Sequence, residues 1–138
     1  MTIILSSCKL LESEIINESS DIIDVEVKAE EGMLKFYWSD MKSYNKWVEK
    51  IVEKNRRERF SIDTLNLKFN YLLYPTDTFH IKPAFIYSSD TLYLINKISF
   101  IKNSDTLIID DYSDFNSVFF NKEGFYPLRL LDEYFKNE

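Results

Sequence analysis

Apolar and charged residues alternate most regularly in the segment just after residue 21. From Ile23 to Lys28, aliphatic and charged side chains follow one another in strict alternation, which is the period of a half-buried strand. Glu30–Gly32 predicts a tight turn, because its glycine can adopt a positive φ. Met33–Trp38 then predicts a returning strand, so this region is predicted to be a β-hairpin.

The next segment has the spacing of an amphipathic helix. Apolar residues recur at three- and four-residue steps between Asp40 and Asn55, as in a helix with one buried face. Ser39 or Asp40 can accept hydrogen bonds from the first free amides and so cap this helix. Like charges stand four residues apart on its other face, as in Lys46 and Lys50, so we expect tertiary packing to hold the helix.

The remainder of the chain is dominated by strand patterns separated by polar turns. Pro83 interrupts one of these patterns, which suits an edge strand or a bulge because proline has no amide hydrogen. Successive strands of this kind predict an antiparallel meander. Its predicted strands are Leu65–Tyr71, Phe79–Tyr87, Thr91–Ile101 and Thr106–Ile109, with turns at Ser88–Asp90 and Asn103–Asp105.

Weaker patterns mark the two ends of the chain. Pro127 falls near the start of the last segment, where a missing amide costs a helix least. The predicted elements are a strand over Thr2–Ser6, a short helix capped by Ser7 and running through Leu10 to Ile16, a helical turn over Phe115–Phe120 capped by Ser113, and a closing helix over Tyr126–Phe135.

These patterns together predict an α+β fold formed by a single domain over residues 1–138. A curved antiparallel β-sheet, made of the hairpin and the meander, is expected to pack against the Asp40–Asn55 helix and the C-terminal helix. A chain of 138 residues buries about two thirds of the surface that its unfolded form exposes. With 45% hydrophobic and 29% charged residues, the composition is that of a globular protein, and we expect a monomer or small oligomer.

The composition leaves little material for catalysis. The chain has one His, one Cys and two Gly, but eleven Phe, nine Tyr and two Trp. Most enzyme sites need histidine, paired thiols or glycine turns, so we expect no enzyme activity, no catalytic residues, no cofactor and no metal. Cys8 has no second cysteine to pair with, which fits a reducing compartment. Because Met1–Ser7 has no basic leader, we expect a cytoplasmic protein without a membrane segment.

A few residues could still form a chemical site. His80 could join Ser99 and an aspartate in a hydrolase triad, but the chain lacks a nucleophile elbow. The aspartates of Asp110–Asp114 could hold a cation, but the glycine turn and closing glutamate of a calcium loop are missing. Trp38 and Trp47 are interpreted as packing residues instead of an exposed recognition pair.

Charge is distributed unevenly along the chain. The net charge is −6 and the isoelectric point is near 4.9, which makes a nucleic-acid partner unlikely, because affinity for phosphates comes from Lys and Arg. Six acidic residues and no cation lie between Lys9 and Lys28, and four aspartates and no cation lie between Lys102 and Lys122. Lys42–Arg59 instead carries seven cations and three acidic residues. The protein is therefore expected to be electrically two-sided.

The second acidic run is the candidate binding site. Charged residues commonly serve only to keep a surface soluble, but an acidic surface can also receive Lys and Arg from a basic protein and accelerate the encounter. Nearby aromatic residues either anchor such a partner or belong to the core. The candidate residues for binding a basic partner are Asp105, Asp110, Asp111, Tyr112, Asp114 and Phe115.

The segment Phe36–Trp47 resembles one family of contact-dependent growth inhibition immunity proteins. In that family a Tyr-Trp pair at a strand end is likewise followed by a Tyr and then a Trp on the first helix; here these are Tyr37-Trp38, Tyr44 and Trp47, with Tyr44 displaced by one position. The order of the later elements is also similar, with a meander that includes Leu92–Phe100 and a closing helix that ends in Leu131–Phe135.

The resemblance implies a cytoplasmic protein that binds the toxic C-terminal domain of a surface-delivered effector, usually a nuclease. It implies that binding blocks the active site or substrate groove of the toxin, with no small-molecule substrate and no turnover. Some family members resemble Whirly single-stranded DNA-binding proteins in fold. The alternative function is therefore a single-stranded nucleic-acid-binding module that uses the Lys42–Arg59 cations with Trp47 or exposed aromatic residues.

Overall fold

A computed structural model of the protein describes residues 8–39, 42–111, 114–115 and 127–135. Within these residues the chain forms nine strands, two α-helices and two short 3₁₀ turns. The helices are α1 (Glu31–Trp38) and α2 (Ser43–Val52), and the 3₁₀ turns are Arg57–Arg59 and Asp132–Phe135. The strands are β1 (Cys8–Asn17), β2 (Ile23–Ala29), β3 (Phe60–Asp63), β4 (Lys68–Leu73), β5 (Thr78–Tyr87), β6 (Asp90–Tyr93), β7 (Ile95–Lys102), β8 (Asp105–Ile109) and β9 (Leu128–Leu130).

The predicted α+β class is confirmed, and the described strands form two sheets, one of them strongly curled. One sheet has the order β6-β5-β1-β9 and the other has the order β3-β4-β2-β7-β8. The neighbours pair antiparallel except for β1 and β9, which are parallel. The predicted curved sheet is confirmed, but the strands are divided between two sheets instead of one.

The strand predicted after residue 21 is confirmed as β2, but the predicted hairpin is wrong. The chain does not return beside β2; it forms helix α1, and β2 pairs instead with β4 and β7. The Glu30 carboxylate accepts a hydrogen bond from the Gly32 amide at 3.4 Å, and buried Leu34 anchors the helix. Ser39 ends α1 at φ 56°, with its amide bonded to the Lys35 carbonyl oxygen at 2.7 Å. The strand end in the family resemblance is thus a helix end here.

The short helix predicted through Leu10 to Ile16 is also wrong, because this segment is strand β1. Its buried residues are every second one, from Leu11 through Ile15 to Asn17. Apolar neighbours at both Leu10–Leu11 and Ile15–Ile16 imitate a helical spacing, but pairing with β5 on one side and β9 on the other fixes the extended chain. Thr2–Ser6 and Ser7 lie outside the described residues.

The amphipathic helix is confirmed as α2, although it is shorter than predicted at both ends. Its apolar side is buried, with Trp47 and Ile51 fully inaccessible. Ser39 does not cap it, since Lys42 occupies the cap position without a side-chain hydrogen bond, and Asp40 lies outside the described residues. The Tyr44 hydroxyl donates to the Lys68 carbonyl oxygen at 2.6 Å, and burial raises the pKa of this hydroxyl.

Strand β5 confirms the prediction for Pro83, which lies at a bulge. Leu11 is opposite Ala84 and Ser13 is opposite Ile81, so two residues of β5 face the single residue between them on β1. The extra residue removes the need for an amide at the proline. The Pro83 carbonyl oxygen accepts a hydrogen bond from the Leu94 amide at 2.8 Å.

The single strand predicted over Thr91–Ile101 is wrong. Leu94 separates β6, in the four-stranded sheet, from β7, in the five-stranded sheet, so the chain changes sheets at this residue. β4 and β5 likewise belong to different sheets. The predicted meander is therefore two separate hairpins, β5–β6 and β7–β8. Their turns are confirmed at Ser88–Asp90 and Asn103–Asp105, where Ser88, Ser89 and Asn103 adopt positive φ.

The closing helix predicted over Tyr126–Phe135 is wrong for the described residues 127–135. Leu128–Leu130 forms β9, which lies parallel to β1 with Ile15 opposite Leu128, and only Asp132–Phe135 is helical, as a 3₁₀ turn. Of the helical turn predicted over Phe115–Phe120, only Phe115 is described, and it is helical together with Asp114. Its cap Ser113 and residues 116–120 lie outside the described residues.

The core joins the two sheets and α2 through a run of aromatic rings. Trp47 of α2 packs on Phe69 with ring centroids 5.7 Å apart, and Tyr71 stacks on Phe79 of the other sheet at 4.5 Å. Phe60 contacts three of these rings. Buried rings remove 150–250 Å² each from water, roughly, so this run accounts for much of the hydrophobic stabilisation that fixes α2 against β5.

Candidate interaction surface

Three of the predicted aspartates lie together at one end of the five-stranded sheet. Asp110 and Asp111 follow β8 directly, and Asp114 is helical. The Phe115 amide donates to the Asp111 carbonyl oxygen at 2.9 Å, which ties this turn to the end of the strand. All three aspartates are exposed. We call Asp110, Asp111 and Asp114 the Asp110 surface.

Asp105 does not belong to this surface. It lies at the other end of β8, opposite Lys102 on β7. Five residues of extended chain separate it from Asp110, a distance of roughly 16 Å. Lys102 in turn donates to Asp132 at 2.6 Å. The four aspartates that are close in sequence are therefore split between two ends of one strand.

The two predicted aromatic anchors have different outcomes. Phe115 is 2% exposed and packs against Tyr93 with ring centroids 5.1 Å apart. Of the two alternatives for Phe115, an exposed anchor or a core residue, the structure shows the core residue. Tyr112 lies outside the described residues. Phe115 therefore supports the Asp110 surface from below, and its ring is not available to a partner.

An exposed apolar residue near these aspartates was missed by the sequence analysis. Ile108 is 51% exposed, opposite Ser99 on the outer face of the sheet and two residues before Asp110. The signal was present in the sequence, because Leu107, Ile108 and Ile109 are consecutive and alternate residues of a strand point to opposite faces. One of the three had to face outward.

Two carboxylates of the first acidic run form ion pairs with cations from other elements, and a third lies beside the histidine. Glu12 lies 3.8 Å from Lys82, and Glu14 lies 3.8 Å from the His80 imidazole. Glu18 forms an ion pair with Arg129 of β9. These partners lie 66 to 111 residues away in sequence. The run looked free of partners only because they are distant in the chain.

Two aspartates of the second acidic run, Asp110 and Asp114, form no ion pair among the described residues. Among residues 8–39, 42–111, 114–115 and 127–135, neither Asp110 nor Asp114 has a cation within ion-pair distance. Ile98 of β7 lies opposite Ile109 of β8. The residues next to this pair are Lys97 and Asp110, so by strand register Lys97 is the cation nearest to Asp110. An exposed carboxylate without a fixed partner is fully available to a cation from another molecule.

Some residues of the basic stretch Lys42–Arg59 pack in the core, and others line an exposed groove. Trp47 is buried, and its indole nitrogen donates to the Lys82 carbonyl oxygen at 2.8 Å, so it cannot stack on a base. Trp38 is half-buried and contacts Tyr37 at 4.4 Å between ring centroids. It lines a groove of about 500 Å³ along the exposed side of α2. The other lining residues are Lys42, Asn45, Lys46, Glu49, Lys50 and Glu53.

The residues considered for a hydrolase triad are held apart. Ser99 is buried in β7 of the five-stranded sheet, whereas His80 lies in β5 of the four-stranded sheet. The backbone of His80 is fixed by Asn55, whose amide donates to the His80 carbonyl oxygen at 2.7 Å and whose oxygen accepts from the His80 amide at 2.9 Å. A serine nucleophile and its base must be within hydrogen-bond reach, which this arrangement does not provide.

In the part of the chain that the structure describes, no group of three or more His, Cys, Asp or Glu side chains is arranged to hold a metal ion. None of its helices combines the length and the apolar composition needed to cross a membrane.

Comparison with known proteins gives no match to a family model, to a curated protein or to a solved structure.

Proposed function

We propose that this protein is an immunity protein that inhibits a toxin by occupying it. The Asp110 surface docks on a basic toxin domain, and bound inhibitor blocks the active site or substrate groove, without any covalent step. The toxin is the C-terminal, nuclease-type domain of a contact-dependent growth inhibition effector. The protein then acts in the cytoplasm, where such a domain would meet its RNA or DNA substrate.

The observation that carries the proposal is a pair of exposed carboxylates without an ion-pair partner among the described residues, close to an exposed aliphatic residue. Asp110 and Asp114 have no ion-pair partner among the described residues, and Ile108 is half exposed nearby. Interfaces combine an apolar centre with charged groups that match the partner. An acidic, partly apolar surface on a rigid sheet end fits a cationic protein better than it fits a phosphate backbone.

The candidate toxin is to be sought as a basic domain at the end of a large secreted protein, in the reading frame directly upstream of the one that encodes this chain. The test uses the toxic domain encoded directly upstream of this chain, expressed from an inducible promoter with and without this protein. The wild-type protein should restore growth and suppress nuclease activity of the purified domain. The double variant Asp110→Lys/Asp114→Lys should lose both effects, because each reversal replaces an attraction by a repulsion.

A matched control changes the net charge by the same amount on the other side of the molecule. Glu53 and Glu58 are exposed and lie in the basic stretch, without an ion-pair partner among the described residues. Glu53→Lys/Glu58→Lys should protect as well as the wild type. Equal loss in both double variants would make the effect one of net charge, and full protection by Asp110→Lys/Asp114→Lys would remove the proposed surface.

A single-stranded nucleic-acid-binding module is the second candidate. It is favoured by the groove along α2, in which half-buried Trp38 lies beside Lys46 and Lys50. Cations along a groove with an aromatic platform are the usual elements of such a site. Fluorescence anisotropy with a labelled oligonucleotide at physiological salt tests it: Lys46→Glu/Lys50→Glu should abolish binding, whereas absence of binding by the wild type excludes this function.

A further inference from the structure

A second cavity lies where the end of α2 meets the start of β5. It has a volume of about 380 Å³ and polar walls, which is within the size range of small-ligand pockets, ~300–1,000 Å³. It is distinct from the Asp110 surface and from the groove beside Trp38. The lining residues are Lys54, Asn55, Arg56, Tyr71, Asp77, Thr78 and His80.

Hydrogen bonds from the Asn55 side chain join two walls of this cavity. Asn55 bonds both backbone groups of His80 and also donates to the Ile51 carbonyl oxygen at 2.7 Å. The Asn55 side chain therefore pairs with the backbone of His80 as a neighbouring strand would, at a part of β5 that β6 does not reach. Because alternate residues of a strand direct their backbone groups to the same side, the Thr78 amide points toward α2 as well.

Cations at the cavity outnumber unpaired acids. Lys54 and Arg56 are exposed and have no ion-pair partner among the described residues. The one acidic lining residue, Asp77, is paired with Arg59 at 2.5 Å, and this hydrogen bond raises the pKa of Arg59. Glu14 lies 3.8 Å from the His80 imidazole, on β1. The cavity thus keeps two positive charges that no neighbouring carboxylate neutralises by direct contact.

A buried hydroxyl marks the inner wall. Tyr71 is 2% exposed, and its ring is stacked on Phe79, so it reaches the cavity through its hydroxyl end. The hydroxyl oxygen accepts a long hydrogen bond, 3.4 Å, from the Arg56 amide. Within the described residues its own proton has no acceptor. A buried O–H group without an acceptor favours a ligand that supplies one.

We propose that this cavity binds the phosphate group of a small, polar phosphate monoester. Lys54 and Arg56 supply charge, and the Tyr71 hydroxyl with the Thr78 hydroxyl and amide supplies hydrogen bonds to the phosphate oxygens. Arginine and amide donors are suited to such oxygens. The cavity is larger than a phosphate ion alone, and its polar lining suits a hydroxylated substituent such as a sugar. This site is independent of the proposed inhibition of a toxin.

The chain offers a direct probe, because it contains one histidine. The imidazole proton resonances of His80 can therefore be followed by NMR without assignment work. The titrants are ribose 5-phosphate, inorganic phosphate and ribose, each at constant pH and constant ionic strength set by KCl. We expect a saturable shift with ribose 5-phosphate, a weaker one with inorganic phosphate, and none with ribose. A separate titration with KCl alone at constant pH, in which the ionic strength rises, should also give no shift.

Two pairs of variants separate the site from its surroundings. Arg56→Gln should weaken ribose 5-phosphate binding by roughly tenfold to a hundredfold, the usual effect of losing a charged hydrogen bond, and Tyr71→Phe by about fivefold. Lys28→Gln, at an exposed position of β2 outside both cavities, and Tyr74→Phe, under Arg59 and outside the cavity, should bind as the wild type does.

Three outcomes overturn the proposal. If KCl shifts the His80 resonances as much as ribose 5-phosphate does, the shift is an effect of ionic strength and not of binding. Binding of inorganic phosphate without binding of ribose 5-phosphate excludes the monoester. Unchanged affinity in Arg56→Gln and Tyr71→Phe, with both variants folded by circular dichroism, excludes this cavity as the site.

Discussion

The two acidic runs of this chain look alike in sequence and differ in the folded protein. In the first run, Glu12, Glu14 and Glu18 meet Lys82, His80 and Arg129. In the second run, Asp110 and Asp114 meet no cation among the described residues. The difference teaches that an uninterrupted run of acids does not by itself make an acidic surface, because strand pairing brings distant cations to some runs and not to others.

The structural reason lies in the position of each run in its sheet. β1 is an inner strand between β5 and β9, so its polar face is flanked by side chains of both neighbours. β8 is the last strand in the order of its sheet and pairs with β7 alone among the described strands. An inner strand therefore gains cross-strand partners on two sides, and an outer strand on one.

Removal of Phe115 should have the largest effect on the second region. Phe115→Ala leaves a cavity beside Tyr93, and such truncations cost about 3–5 kcal/mol in the free energy of unfolding. Urea unfolding followed by circular dichroism measures it. The exposed neighbour Ile108 is the control, since Ile108→Ala should cost less than about 1 kcal/mol. If both variants lost equally little free energy of unfolding, the Phe115 ring would lie on the surface, and our assignment of Phe115 to the core would be wrong.

Charge reversal should separate the two runs. Glu18→Lys places a cation beside Arg129 and should lower the free energy of unfolding by about 1 kcal/mol, the upper end for exposed pairs. Asp110→Lys breaks no ion pair among the described residues and should change stability by less than about 0.5 kcal/mol. Parallel urea titrations of the two variants provide the comparison. A larger loss for Asp110→Lys than for Glu18→Lys would reverse our assignment of which run is paired.

The pH dependence of stability sharpens the same contrast at the Asp105 end of β8. Hydrogen bonds from Lys102 and then from the Ser20 amide lower the pKa of Asp132. A lowered pKa in the folded state means that the carboxylate stabilises the fold above its unfolded pKa, ~3.9, and that this contribution is lost as the pH falls through the lowered value. Asp132→Asn should therefore be less stable than the wild type at neutral pH.

This deficit should disappear in acid. Urea unfolding of the wild type and of Asp132→Asn at pH values from about 7 to about 2 follows the difference directly. A constant difference over that range would show that the variant acts through packing of the 3₁₀ turn and not through the charge. Asp105→Asn is the matched control, because Asp105 forms no ion pair among the described residues.

The local sequence pattern was sufficient to predict an element wherever the periodicity of its apolar residues agrees with the face that packs in the fold. β2 alternates strictly, and the apolar side of α2 is the side that packs on Phe69 and β5, so both were predicted from sequence. The bulge at Pro83 was predicted because proline removes a ladder hydrogen bond wherever it lies. The turns at Ser88 and Asn103 followed from short polar residues that tolerate positive φ.

Elements decided by distant pairing were not predictable in this way. β1 has neighbouring apolar pairs that match a helix, and only β5 and β9 impose its extended form. Met33–Trp38 has the aromatic content of a strand, but the Glu30 cap and burial of Leu34 give a helix. At the candidate site, sequence could group Asp110, Asp111 and Asp114, but it could not place Asp105 at the other end of β8 or Phe115 in the core.

The most direct test of the central claim is the association rate of this protein with the upstream-encoded toxin domain, measured by stopped flow as NaCl rises from about 0.05 M to about 0.5 M. The account predicts a rate that falls steeply with salt for the wild type and for Glu53→Lys/Glu58→Lys. For Asp110→Lys/Asp114→Lys it predicts a rate that is lower at low salt and nearly flat. A wild-type rate that does not change with salt would contradict docking through the Asp110 surface.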